Sequence, residues 1–135
     1  MVEYHGWITI RLNFKDVEDL NDENIGKLVN LVHKKITGYN LEKSISLRFV
    51  NGTAMLSCNG LTNHWGGDIE DVLALYNYLA KEAVGSYGLL YFRNDEANDE
   101  ESNNFTVYYL AKGELKKTKD NLLSPCIPVI EDEIS

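Results

Sequence analysis

"SISLRFVNGTAMLSCNG", Ser44 to Gly60, places two strand-like runs around Asn51-Gly52. Asn-Gly suits a two-residue hairpin turn, because both of its central residues must take positive φ. The stretch therefore predicts a β-hairpin. A helical pattern stands on each side of it, and the fold follows from that arrangement.

Upstream, Tyr4 to Phe14 alternates, with Ile8, Ile10, Leu12 and Phe14 on one side and Trp7, Thr9, Arg11 and Asn13 on the other. That is the period of a strand with one buried face. Trp7, among alternating apolar residues, is expected to be buried and structural. Between this strand and the hairpin, Ile25, Leu28, Val29, Leu31, Val32 and Ile36 keep helical spacing. Asp22 is the expected cap at the helix start and Gly38 the expected C-cap residue.

Downstream, the polar loop "LTNHWGGD" leads to a second helix. Asp68 is its expected cap, with Asp71 at the capping-box position. Its apolar positions are Ile69, Val72, Leu73, Leu75, Tyr76 and Leu79, and Gly85 lies past its end. "SYGLLYFR" and "NFTVYYLAKGEL" read as a fourth and a fifth strand, and the tail "LSPCIPVIEDEIS" as irregular. The order β-α-β-β-α-β-β predicts an α+β fold: an antiparallel sheet of about five strands with two helices packed on one face. This is the split β-α-β, ferredoxin-like pattern, in a single domain over residues 1–135.

With 44% hydrophobic and 25% charged residues, the 135-residue chain has an ordinary globular composition. Its formal net charge is −8, from 21 acids and 13 bases. That balance argues against binding nucleic acid, where Lys and Arg must neutralise phosphates. It suits a basic protein partner, since opposite fields steer encounter. No apolar run approaches bilayer length, the start lacks the features of a secretory signal, and there are two cysteines. The expectation is a cytoplasmic chain with reduced thiols and no membrane partner.

Catalytic motifs are scarce. His5, His33 and His64 have no ligand spacing relative to Cys58 and Cys126, so neither a metal nor a cofactor is expected. "NHWGGD" leads into a helix N-terminus, but Asp68, Glu70 and Asp71 would repel phosphate. Between the last two strands, Asp95, Glu96, Asp99, Glu100 and Glu101 put five acids in seven positions. Such a run reads either as a solvated loop or as a dock for a cationic partner. The candidate contacts are these five acids with Asp68, Glu70, Asp71 and Trp65. Tyr108 and Tyr109 join them because adjacent strand residues point to opposite faces, so one can present aromatic surface.

Four blocks, "EYHGW", "NGLTNH", "GSYGLLYFRNDE" and "LSPCIPVIED", taken in order, resemble the immunity protein 7 family of bacterial polymorphic toxin systems. The resemblance implies a cytoplasmic inhibitor, not an enzyme, of the kind found in contact-dependent growth inhibition. Its partner would be the C-terminal domain of a cognate toxin, commonly a basic nuclease. Signature positions then fall on His5, Gly6, Trp7, Asn63, His64, Gly85, Ser86, Tyr87, Gly88, Ser124, Pro125 and Pro128. These are expected to hold the scaffold while variable loops choose the toxin. Free, the chain would be a monomer or a homodimer. The other classes weighed are a small regulatory or metabolite-binding domain, and a minor enzyme using His64 or Cys126.

Overall fold

The computed structural model describes residues 1–13, 22–96 and 103–125. The elements are β1 (Val2–Ile10), α1 (Asp22–Gly38), β2 (Ile45–Val50), β3 (Thr53–Thr62), α2 (Gly67–Glu82), β4 (Tyr87–Asn94), β5 (Thr106–Ala111) and β6 (Glu114–Lys119). They form an α+β fold with a six-stranded sheet in the order β2-β3-β1-β4-β5-β6, antiparallel at every pairing. β1 lies between β3 and β4 with β2 outside β3, which is the split β-α-β arrangement. The β5–β6 hairpin extends it beyond β4.

The sheet thus has six strands rather than about five. The single fifth strand expected over Asn104 to Leu115 is broken at Lys112-Gly113, with φ of 50° and 75°. Asn51-Gly52 turns the β2–β3 hairpin with nearly the same pair, 50° and 81°. Gly113 adopts this conformation freely, whereas Lys112 bears a steric cost that Asn would partly relieve. The new strand, "ELKKTK", has a single apolar residue and hence no alternation to read.

Both helix ends also differ from expectation. Gly38 stays helical, and the left-handed residue is Asn40, with φ of 58°. The Leu41 N–H bonds the Ile36 carbonyl at 2.9 Å and the Asn40 N–H bonds that of Thr37 at 3.1 Å, so a Schellman motif closes α1. Ile36 and Leu41 are buried, which gives the motif its apolar clasp. In α2 the cap is Gly66, with no side-chain cap bond. Asp68 instead lies in the first turn, where its carboxylate accepts from the Ile69 N–H at 3.0 Å. Asp68 and Asp71 therefore set no capping box.

Even-numbered residues of β1, β3 and β4 point to the helices. Val2, Tyr4, Ile8, Ile10, Ala54, Leu56, Cys58, Leu90 and Phe92 join Val29 and Val32 of α1 and Val72, Leu75 and Leu79 of α2 in one core. Leu31, counted in the α1 apolar stripe by spacing, is outside it and 49% exposed.

Helix and sheet approach each other closely at Gly6. Tyr76 of α2 is fully buried, and its hydroxyl donates to the Leu89 carbonyl at 3.1 Å. A Cβ at Gly6 would run into that hydroxyl and stand 2.7 Å from the Leu89 oxygen and 2.8 Å from Leu90 Cδ1. Gly6→Ala is accordingly expected to destabilise the fold by about 1–3 kcal/mol, as overpacking does. A chemical melt should show a lower midpoint at unchanged slope. The loss should shrink in a Tyr76→Phe background, where the nearest clashing atom is gone.

Candidate partner-binding site

The loop before α2, the start of β1 and the turn after β4 meet at one corner. There His64 Nδ1 lies 2.6 Å from Glu96 Oε1, and the Met1 amine lies 2.6 Å from Asp95 Oδ1. The Asp95 N–H closes the corner on the Met1 carbonyl at 3.1 Å. The amine's hydrogen bond holds the Asp95 carboxyl below its ordinary pKa. Trp65 donates from Nε1 to Glu70 Oε1 at 2.7 Å. Asp95, Glu96, Trp65 and Glu70 are therefore brought together, while Asp71 sits half-buried in α2. Asp99, Glu100 and Glu101 lie outside the described residues.

Behind this corner is an aromatic cluster on the covered face. Phe92 is buried, with ring centroids 5.4 Å from Trp65, 5.7 Å from Tyr108 and 5.9 Å from Tyr4. Trp65 is thus partly exposed and partly packed, and Tyr108 is half-buried on the helix side. Tyr109 is separated from both, since it faces the opposite way and is 37% exposed.

No described helix covers the face that Tyr109 shares. Register aligns Ser57, Trp7, Leu89, Tyr109 and Lys116 in one row across it. Trp7 is 41% exposed and Tyr87 43%. Trp7 is therefore not a core residue, contrary to the sequence reading. Its odd position opposes it to Ile8 and Ile10, and its ring meets Tyr87 edge-on at 6.0 Å. Next to this row, His5 Nε2 lies 2.7 Å from Glu3 Oε2, and Nδ1 lies 2.8 Å from Asn59 Oδ1. Burial pulls the His5 pKa down, but the hydrogen bonds to Glu3 and Asn59 outweigh it and leave it raised.

The other signature positions sit in varied settings. Asn63 and His64 are exposed in the loop before α2. Gly85 lies against the Asn13 backbone and Gly88 against that of Trp7 and Ile8. Ser86 is buried, with Oγ accepting from the Arg11 N–H at 3.0 Å and donating to its carbonyl at 3.3 Å. Ser124 and Pro125 are half-buried, and Pro128 lies outside the described residues along with Cys126.

Nucleophilic chemistry finds little footing among these groups. Burial pushes the Cys58 thiol up to about 12, far from a reactive thiolate. No cluster of three or more metal-binding side chains occurs among the described residues. No described helix is long and apolar enough to cross a membrane.

A family model described as Immunity protein 7 matches residues 1–132, and the chain belongs to that family. Neither the curated proteins nor the solved structures yielded a match.

The His5 geometry makes a pH prediction. A histidine raised in the folded state adds stability that is fully present below its unfolded value, about pH 6.5, and is lost as pH rises through the folded one. Chemical melts at about pH 5.5 and about pH 8.5 should therefore show this contribution in the parent and its absence in His5→Gln. An equal pH response in both would mean that the Glu3–His5–Asn59 trio does not persist in solution.

Proposed function

We propose that this chain binds a cognate toxin domain in the cytoplasm and neutralises it by occlusion, with no catalysis of its own. The family match over residues 1–132 carries the reading. The net charge of −8 supports a cationic toxin, and a nuclease has the basic cleft that such a charge fits. The inhibitor would cover that cleft or a surface beside it.

Within this reading the acidic turn works as a steering field. Asp95 and Glu96 already hold the chain's own amine and His64, yet both carboxylates remain solvent-accessible. They can add to a long-range potential while keeping their present partners. Exposed charges are screened beyond about 8 Å at physiological salt, so their effect should fall on the association rate.

The test is capture of the polypeptide encoded immediately upstream, as a catalytically inactive toxin domain, followed by kinetics at two salt concentrations. Association with the parent should slow as salt rises. Changing Asp95, Glu96, Asp99, Glu100 and Glu101 to Asn or Gln should slow it further and flatten the salt response. Failure of the parent to bind would overturn the inhibitor reading. Binding that ignores both salt and the five substitutions would reduce the acidic turn to a solubilising surface.

A further inference from the structure

Asn-Gly occurs twice in the chain, at Asn51-Gly52 and at Asn59-Gly60. In this dipeptide the glycine has no side chain to shield its amide nitrogen from the neighbouring carboxamide. That nitrogen can attack the asparagine Cγ and close a five-membered succinimide. Both asparagines are exposed, so access of water does not separate them. The backbone does.

Asn51 and Gly52 are the central residues of the β2–β3 turn, with φ of 50° and 81°, as in a type I′ turn. Ring closure needs the glycine nitrogen to eclipse the asparagine Cβ. For an L residue that occurs at ψ of about −120°, the value at the first central residue of a type II′ turn. Flipping the peptide between Asn51 and Gly52 converts one turn into the other. Both types serve hairpins, so the flip leaves the β2–β3 ladder intact. A Cβ at Gly52 would meet no described atom within 4 Å, so the movement has room.

Asn59-Gly60 is instead held inside β3, between β2 and β1. The Asn59 N–H donates to the Ser44 carbonyl at 2.9 Å, and antiparallel alternation turns the next amide, that of Gly60, toward Tyr4 of β1. The buried Tyr4 ring lies so close over Gly60 that a Cβ there would overlap it. The Asn59 carboxamide is engaged as well, with Oδ1 2.8 Å from His5 Nδ1. An extended residue has ψ of about +135°, and carrying it to the attack geometry would pull the Gly60 amide out of the ladder.

We propose that Asn51 is a site of spontaneous deamidation, and that the fold directs the reaction to this turn and withholds it from Asn59. The Gly52 nitrogen bonds to Asn51 Cγ and gives up its proton, the Cγ–Nδ2 bond breaks, and ammonia leaves. Water then opens the succinimide. Breaking the bond from the nitrogen to Cγ leaves aspartate. Breaking the bond from the nitrogen to the main-chain carbonyl carbon leaves isoaspartate, whose chain runs through Cβ and Cγ. Either product adds one negative charge to the −8 of the chain. Isoaspartate also adds a backbone carbon to a turn that aligns Val50 with Thr53. In the described sheet β2 pairs with β3 alone, so this product loosens an outer strand.

The parent is incubated at mildly alkaline pH, folded and in urea, and mapped by mass spectrometry with fragmentation that separates aspartate from isoaspartate. In the folded chain Asn51 should convert more than about tenfold faster than Asn59, because reaction within a central strand needs local opening. In urea the gap should close. Asn51→Gly keeps a dipeptide suited to the type I′ turn and should abolish the acidic form seen on ion exchange. Intact Asn51 in the folded chain, once the unfolded chain has converted, would overturn the site. Asn59 reacting alongside it in the folded chain, or a gap that persists in urea, would overturn the role of the fold. The isolated isoaspartyl form should unfold at lower urea than Asn51→Asp, which carries the same charge without the extra carbon. Equal midpoints would overturn the loosening of β2.

Discussion

The fit of Tyr76 over Gly6 sets the distance between helix layer and sheet. A fully buried phenol must place its hydroxyl on an acceptor, and here it reaches the Leu89 carbonyl because Gly6 presents no side chain. The bond ties α2 to β4 across β1, the strand with two neighbours at the centre of the split β-α-β unit. Burial keeps the phenol neutral by raising its pKa, so the tie remains a donor–acceptor bond well into alkaline conditions. Once α2 is held there, the even-numbered residues of β1, β3 and β4 are committed to the core. Trp7, Tyr87 and Met55, odd-numbered in the same strands, are left exposed.

Much of the fold was legible because most elements carry a strong local period. Ile8 and Ile10 against Trp7 and Thr9 gave β1 and its two faces, and Asn51-Gly52 gave the β2–β3 turn. Features set by backbone rather than pattern were less legible. Lys112-Gly113 makes the same kind of turn, but Lys is not a residue that announces positive φ, and the strand after it is almost wholly polar. Asn40 displaced Gly38 as the left-handed residue because the hydrogen bonds closing α1 begin at Ile36 and need a buried Leu41 beyond.

The candidate site was legible by halves. Asp95, Glu96, Trp65 and Glu70 were singled out by composition, and they do meet at one corner. That the two turn acids are engaged by Met1 and His64 depends on tertiary contacts no local pattern encodes. Trp7 was misplaced because a tryptophan in a strand usually belongs to a core; parity alone would have put it on the other face. The Glu3–His5–Asn59 trio also needed the register between β1 and β3, which brings Asn59 opposite His5.

The two borders of the sheet have unequal chemistry. β6 exposes Lys116, Lys117 and Lys119 along its six residues, whereas β2 carries Arg48 as its one charge. Stacked lysines disfavour the docking of a further strand on the β6 side. A β2-to-β2 contact between copies would be two-fold and complete at two molecules. Fibril growth would require every molecule to accept neighbours on both borders, and lysines disfavour one of them. The lysines of β6 thus work against open-ended stacking of copies.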